Sequence, residues 1–309
     1  MATQSIPAVL DVPRVQLRRM GSASLLFDYW QLTKPEINFL IAITTAAGFS
    51  TGTAASLPHF PWSPFLHTLG GTVLVASGAG TLNQLIELPH DAQMRRTARR
   101  PLVAGSIAPS HALWFGVMLS VLGVAYLAIS TNGLASLVAA LTLLSYLFLY
   151  TPLKRITPLC TAVGAIPGAA PPLIGWAAAR GRLDPAAWGL FAIVFLWQFP
   201  HFMPIAWMYR QDYARAGYMV LPPSDSRDRL VIWQTVAAAA GLVVISLIPV
   251  ISGLSGFGYF GGALALGGIF LHYSARFAMH RTAAAARQLL LVSIVYLPAI
   301  FALLVLDKS

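Results

Sequence analysis

Long apolar runs alternate with short polar segments along most of the chain. A helix needs roughly 20 apolar residues to cross the hydrocarbon core of a bilayer. Nine runs approach that length, at about residues 37–57, 65–86, 110–130, 132–150, 158–178, 185–208, 230–251, 257–279 and 287–306. The pattern predicts an all-α, polytopic membrane protein with nine transmembrane helices.

The first 36 residues contain no long apolar run, so a cleavable signal peptide is not expected. They read as a polar tail followed by a short amphipathic segment, which contains Leu25, Leu26, Phe27, Tyr29 and Trp30. The pattern therefore divides the chain into residues 1–36, a cytoplasmic tail with an interfacial segment, and residues 37–309, a single transmembrane domain.

The composition supports a membrane protein and excludes some classes of function. Hydrophobic residues make up 57% of the chain and charged residues only 10%, whereas a soluble globular domain carries about 25% charged residues. The single cysteine, Cys160, excludes an intramolecular disulfide and a CxxC metal or redox motif. The net charge of +10 is best explained by membrane topology, and no nucleic-acid partner is expected.

The distribution of Lys and Arg predicts the orientation. With a cytoplasmic N-terminus and nine helices, 17 of the 20 basic residues fall in cytoplasmic segments. The other three are Arg180, Arg182 and Lys308. An excess of basic residues inside is typical of membrane proteins, so we expect the N-terminus in the cytoplasm and the C-terminus outside.

A polar stripe closes the second predicted helix. Asn83, Glu87 and Asp91 are spaced by four residues, which places them on one face of a helix. Pro89 is expected to kink or end that helix. Oxygen ligands on one face suit a hard cation, and Mg²⁺ in particular takes one or two carboxylates together with water and phosphate oxygens. The alternative is a helix end whose polar side chains are simply solvated.

Basic residues follow the stripe and recur in two later cytoplasmic segments. They could bind the phosphates of a metal–diphosphate complex, although topology alone also explains cytoplasmic Lys and Arg. These candidates are Arg96 and Arg100, Lys154 and Arg155 in the segment YTPLKRIT, and Arg210 beside the carboxylate of Asp212.

His201 lies inside the sixth predicted helix, between Pro200 and Phe202. A polar residue at that depth in a membrane helix is a candidate functional residue. A neutral histidine that is bonded to a neighbouring backbone carbonyl is the alternative.

Five segments in order resemble the UbiA-type intramembrane prenyltransferases, and within them the branch that farnesylates protoheme IX. The longest of them looks like the family's first acidic signature and reads Asn83-x3-Glu87-x3-Asp91-x2-Met94-x-Arg96-Thr97-x2-Arg100-Pro101-Leu102-x2-Gly105. Other segments that are similar to that branch are Leu32-Thr33-Lys34-Pro35, Tyr150-Thr151-Pro152-Leu153-Lys154-Arg155, Pro171-Pro172-Leu173-Ile174-Gly175-Trp176 and Pro200-His201-Phe202. Asp212-Tyr213-x-x-Ala216-Gly217 falls where the family has its second acidic signature.

The resemblance implies a UbiA-type bundle and transfer of a farnesyl group from farnesyl diphosphate to a vinyl group of protoheme IX, which gives heme O and diphosphate. It implies Mg²⁺ as cofactor, with Asn83, Glu87, Asp91 and Asp212 as metal ligands. It implies diphosphate binding by Arg96, Arg100, Lys154, Arg155 and Arg210. Asp91, Asp212 and Lys154 are then the expected catalytic residues, and His201 the expected heme contact.

Two departures and two alternatives accompany this hypothesis. Pro89 occupies a position that is often acidic in the family, and the second cluster offers only Asp212. A prenyltransferase for an aromatic quinone precursor would share the fold, and a transporter is the alternative of another class. We expect a bacterial inner membrane, a cytoplasmic active site, and heme A synthase or cytochrome oxidase assembly factors as possible protein partners.

Overall fold

The computed structural model describes residues 22–53, 59–221 and 228–308. Over these ranges the chain is helical with short turns and contains no β-strand, which confirms the all-α class. The predicted tail, residues 1–21, lies outside the described residues. The helices are α1 Ser22–Leu32, α2 Pro35–Gly52, α3 Trp62–Asp91, α4 Pro109–Ser130, α5 Gly133–Leu144, α6 Thr151–Leu153, α7 Cys160–Ala169, α8 Pro171–Arg180, α9 Pro185–Met208, α10 Arg210–Arg215, α11 Asp228–Ile245, α12 Ile248–Ile251, α13 Phe257–His280 and α14 Ala283–Leu306.

Seven helical segments within the described ranges are long and apolar enough to cross a membrane, so this is a multi-pass membrane protein. They are Trp62–Asp91, Pro109–Ser130, Gly133–Leu153, Cys160–Arg180, Pro185–Met208, Gln234–Ile251 and Ala283–Leu306. The other two predicted spans coincide with α2, which is rich in Gly and Thr, and with α13, which is rich in Gly. The count of nine membrane helices remains a prediction.

Two of the spans are interrupted in ways that the sequence explains. Residues Ser145–Tyr150 form a π-helical segment that joins α5 to α6. Such segments often occur at functional sites. The second break separates α7 from α8, where Pro171 and Pro172 cannot donate backbone hydrogen bonds.

Close packing of α2 against α8 depends on two glycines. A Cβ atom on Gly48 would lie 2.1 Å from the Pro172 carbonyl oxygen. One on Gly175 would lie 2.0 Å from the Thr45 carbonyl oxygen. Small residues at helix contacts allow backbones in a membrane to approach each other, and larger residues here would separate the two helices.

The main apolar core lies between α8, α9, α13 and α14. Its largest fully buried side chains include those of Trp176, Tyr259, Phe270 and Tyr296. Large apolar side chains also cover the outside of the bundle, among them Trp114, Ile129, Val244 and Leu291. Exposed apolar surface on this scale is expected where helices face lipid.

The three basic residues that were predicted outside gather at one end of the bundle. Arg180 Nε donates to the Gly52 carbonyl at 2.5 Å, and Lys308 Nζ donates to the Ser50 carbonyl at 2.9 Å. These contacts tie the end of α2 to α8 and to the residues after α14. Burial lowers the pKa of Lys308. Lys34, at the start of α2, lies at the opposite end of that helix from Gly52.

Candidate active site

Three side chains at the end of α3 form a buried polar stripe along one wall of a cavity. Asn83, Glu87 and Asp91, hereafter the α3 stripe, are 1%, 6% and 1% exposed. Their spacing of four residues places them one turn apart on nearly the same face. All three line a cavity of about 490 Å³, whose other walls are mostly apolar. Pro89 does not end α3 early, because the helix continues to Asp91.

Both carboxylates of the α3 stripe pair with basic side chains from later parts of the chain. Lys154 Nζ lies 2.5 Å from Glu87 Oε1, and Arg100 Nη1 donates to Asp91 Oδ2. All four residues line the cavity. A charge that is removed from water is costly unless it is paired and hydrogen-bonded, so the pairs allow acids and bases to lie together at the mouth of an apolar cavity.

Lys34 is a third basic residue that contacts the α3 stripe, although neither the composition nor the residue spacing predicted it. It lies in the turn between α1 and α2 with a positive φ of 55°, and its Nζ donates to Asn83 Oδ1 at 2.7 Å. Asn38 stabilises the turn, because its Nδ2 donates to the Thr33 carbonyl at 2.9 Å. Burial of the ammonium group, with Arg100 as the next cause, lowers the pKa of Lys34 to about 7.

The α3 stripe has the chemistry of a site for a hard cation. Asp91 Oδ1 is buried and has no hydrogen-bond partner, so one carboxylate oxygen is available to a further ligand. Within the described part of the chain no three His, Cys, Asp or Glu side chains form a metal-binding group. Two carboxylates and one amide oxygen nevertheless fit Mg²⁺, which completes its coordination with water and phosphate oxygens.

Asp212 lies on α10, next to the backbone of Arg96, and does not line the cavity. Its Oδ1 accepts from Arg215 Nη2 at 2.6 Å, and its Oδ2 accepts from the backbone N–H of Arg96 at 3.2 Å. The structure therefore brings the two predicted acidic clusters together through Arg96. In this arrangement Asp212 holds the backbone of the segment that follows α3.

The predicted diphosphate-binding arginines occupy different positions. Arg96 lines the cavity, and its guanidinium lies 5.2 Å from the ring centroid of Tyr209. Arg210 lies over the Trp207 ring and donates to the Trp207 carbonyl at 2.8 Å. Arg155 is exposed. Neither Arg155 nor Arg210 lines the cavity.

Two tyrosines that sequence reasoning missed lie at the cavity. Tyr150, at the end of the π-helical segment, presents its ring 4.4 Å from Lys154 Nζ. Tyr218 is 6% exposed, and its hydroxyl is buried without a hydrogen-bond partner. Burial raises the pKa of Tyr218. An unpaired buried hydroxyl is destabilising, so the Tyr218 hydroxyl is available to a ligand.

His201 lines the same cavity from α9. Its ring stacks on the Trp197 indole with a centroid distance of 4.5 Å. Its Nδ1 lies 2.7 Å from Ser293 Oγ on α14. The expected alternative, a bond to a neighbouring backbone carbonyl, is therefore not what the structure contains.

Comparisons with known proteins agree with the resemblance. The model of the UbiA prenyltransferase family matches residues 41–300. The protoheme IX farnesyltransferase of Solibacter usitatus is 48% identical, over 91% of this chain and 98% of that protein. The protoheme IX farnesyltransferase of Koribacter versatilis is 44% identical, over 99% of both chains.

A solved structure is similar in fold. A UbiA homologue from Archaeoglobus fulgidus, bound to DMAPP and Mg²⁺, superposes with a TM-score of 0.62. The match covers 90% of this chain and 99% of that chain, at 16% sequence identity. At that identity the likeness is one of fold, and it supports a UbiA-type bundle.

Proposed function

The chain belongs to the UbiA prenyltransferase family, and on that premise we propose that it transfers a farnesyl group to protoheme IX. The observation that carries the proposal is the set of paired acids and bases at the mouth of an apolar cavity. A diphosphate with its metal needs the charged mouth, and two apolar substrates need the rest of the cavity.

The α3 stripe is the proposed Mg²⁺ site. Asn83, Glu87 and Asp91 offer oxygen ligands, and Asp91 Oδ1 has no other partner. The Archaeoglobus fulgidus relative, which was solved with DMAPP and Mg²⁺, supports this choice of cation. When bound, the cation supplies positive charge against the diphosphate oxygens. Ligation by Asp212 stays a prediction, because its carboxylate now accepts from Arg96 and Arg215.

The bases at the mouth stabilise the leaving group. Lys34, Lys154 and Arg100 are already held in place by the α3 stripe, so they need little rearrangement when a diphosphate arrives. Lys154 and Arg100 are positive before the reaction, and the negative charge of a bound diphosphate favours protonation of Lys34, whose pKa is lowered to about 7. Positive groups that are already in place favour the charge that develops as the C1–O bond of farnesyl diphosphate breaks. Arg96 lines the same cavity and joins them in this proposal. Arg155 and Arg210 stay predictions as diphosphate ligands, since neither lines the cavity.

The acceptor steps follow from the apolar cavity. The allylic cation is shielded from early capture by water because most of the lining is apolar. The terminal vinyl carbon of protoheme IX then forms a bond to farnesyl C1. Water adds to the remaining cation and loses a proton, which leaves a hydroxyethylfarnesyl group. His201 contacts the heme in this proposal.

The proposed cellular setting is a bacterial inner membrane with the α3 stripe facing the cytoplasm. Among the described residues, Arg180 and Lys308 lie at the end of α2 and Lys34 lies at its start, which supports that orientation. Heme A synthase or cytochrome oxidase assembly factors are proposed as partners because they would receive the product.

The function is tested with purified protein in detergent, supplied with protoheme IX, farnesyl diphosphate and Mg²⁺. Mass spectrometry should find a porphyrin that has gained one farnesyl group and one water. The product should be lost in Asp91→Asn and kept in Asp184→Asn, which makes the same chemical change at the opposite end of the bundle. If 4-hydroxybenzoate is prenylated and heme is not, the acceptor is an aromatic compound and not protoheme IX. No transfer to either acceptor by folded protein would reject the proposed reaction.

A further inference from the structure

One residue of α14 fixes the orientation of the His201 imidazole ring. Ser293 is 0% exposed, and its Oγ lies 2.7 Å from His201 Nδ1. Trp197, whose indole stacks on the imidazole at an interplanar angle of 19°, donates its Nε1–H to the Ser293 carbonyl at 2.8 Å. Both the ring and the surface on which it stacks are therefore anchored to Ser293.

The same contacts determine which nitrogen of His201 carries the proton. Ser293 Oγ donates its only proton to the Leu290 carbonyl at 2.6 Å, a bond that serine commonly makes within a helix. The oxygen can then only accept from His201, so the proton lies on Nδ1. A neutral imidazole has one N–H, and Nε2 therefore carries a free lone pair.

A lone pair in this position suits a metal centre of a bound ligand. A histidine that ligates a metal usually donates its other ring N–H to an oxygen, which fixes the tautomer and the ring orientation. Histidine is also a common axial ligand of heme iron. Among the described residues that line the cavity, His201 is the only histidine.

The position of His201 along α9 separates it from the charged mouth. It lies seven residues before the end of the helix at Met208, which corresponds to about 10 Å. A porphyrin that is held there would lie against the apolar walls, whereas the α3 stripe and its bases lie where α3 ends.

We propose that His201 Nε2 coordinates the iron of the acceptor heme as an axial ligand and that Ser293 is the positioning residue that prepares it. The inference rests on the proposed function, in which protoheme IX is the acceptor. It specifies which atom binds the iron, and it gives a supporting role to Ser293, which does not itself touch the heme.

The test measures binding of two porphyrins to full-length protein in detergent, without farnesyl diphosphate. Ferric protoheme IX reports iron ligation through its absorption and EPR spectra, and metal-free protoporphyrin IX reports packing alone. His201→Ala should abolish the signature of nitrogen-ligated iron and weaken heme binding, while protoporphyrin binding stays unchanged. Ser293→Ala should weaken heme binding by roughly tenfold, as loss of an orienting partner does, and alter the same spectra.

Two controls separate positioning from general damage to the bundle. Ser293→Thr keeps the hydroxyl and should retain the spectra of the unmodified protein. Ser274→Ala removes a hydroxyl that is equally buried on α13, and it should not change the binding of either porphyrin. In a His201→Ala background, Ser293→Ala should have no further effect on heme binding, because the two residues act as one unit.

The result that overturns the inference differs from the result that overturns the function. If His201→Ala weakens the binding of both porphyrins equally, or leaves the heme spectra unchanged, His201 does not ligate the iron. If Ser293→Ala leaves the spectra intact, Ser293 has no positioning role. Either result can occur in an enzyme that still makes farnesylated heme, whereas failure of the unmodified protein to bind and farnesylate heme rejects both.

Discussion

Lys154 Nζ and Glu87 Oε1 lie 2.5 Å apart and join the segment after α6 to the end of α3. Their side chains are only 15% and 7% exposed. Burial alone would lower the pKa of Lys154, but the neighbouring Tyr150 and Glu87 outweigh it and hold that pKa well above the ordinary value for lysine. Lys154 is therefore a permanent positive charge beside the proposed diphosphate site.

Replacing Lys154 with Met should destabilise the protein, because it leaves Glu87 charged, buried and unpaired. Removal of one partner of a buried ion pair typically costs about 3–5 kcal/mol. The double variant Glu87→Gln/Lys154→Met should recover much of that loss while remaining inactive. Thermal unfolding in detergent measures stability, and farnesyl transfer measures activity.

An ion pair whose basic partner is exposed provides the control for this prediction. Arg182 and Asp184 lie 2.9 Å apart, and the Arg182 side chain is 71% exposed. Arg182→Met leaves Asp184 paired with Arg180 and should change stability by at most about 1 kcal/mol. If the double variant at Glu87 and Lys154 is as unstable as the single variant, the uncompensated charge is not the cause.

Lys34→Met should reduce the affinity for farnesyl diphosphate. A hydrogen bond to a charged group is worth about 1.5–3 kcal/mol, which corresponds to roughly tenfold or more in binding. Arg281→Met is a matched control, since Arg281 is also a long basic residue with a positive φ, of 47°, and it does not line the cavity. A KM that is unchanged in Lys34→Met would remove Lys34 from the proposed diphosphate site.

The sequence predicted the features that depend on local spacing. A period of four residues placed the α3 stripe on one face, and the structure brings its members to one cavity. Apolar length predicted most of the spans, because a membrane helix must satisfy its backbone within itself. In α2 and α13, glycines and polar residues weaken the apolar signal.

The features that the sequence did not predict depend on distant partners. Lys34 reaches Asn83 across 49 residues, and His201 reaches Ser293 across 92 residues. Only the segment Leu32-Thr33-Lys34-Pro35 hinted at the first contact, and no local pattern marks a buried serine as an orienting residue. Asp212 was expected among the metal ligands, but its contact with the Arg96 backbone depends on how α10 packs.

Gly164→Ala should disturb the aromatic wall of the cavity. A Cβ atom on Gly164 would lie 2.4 Å from the Tyr150 ring, which Lys154 contacts. Overpacking of a tight site typically costs about 1–3 kcal/mol, and displacement of Tyr150 should also lower the transfer rate. Gly268→Ala is the control, because open space surrounds that position and alanine favours a helix. An active and stable Gly164→Ala variant would show that Tyr150 can move without consequence.

The orientation in the membrane can be tested with single cysteines. The native Cys160 is 1% exposed and should not react with a membrane-impermeant maleimide. Arg182→Cys should be labelled from the outside of intact cells, and Arg99→Cys only in inverted membrane vesicles. The reverse pattern would place the α3 stripe on the outer side and contradict the proposed cytoplasmic active site.

Tyr218→Phe should raise the stability of the protein and lower its activity. The Tyr218 hydroxyl is buried, lacks a partner and belongs to a residue that lines the cavity. Tyr259 also carries a buried hydroxyl without a partner, but it lies in the main core. An unsatisfied buried hydroxyl costs about 1–3 kcal/mol, so both Phe variants should unfold at a higher temperature than the unmodified protein.

Only Tyr218→Phe should lower farnesyl transfer, because only that hydroxyl can reach a substrate. Equal activity in the two variants would show that the Tyr218 hydroxyl does not contact the substrate.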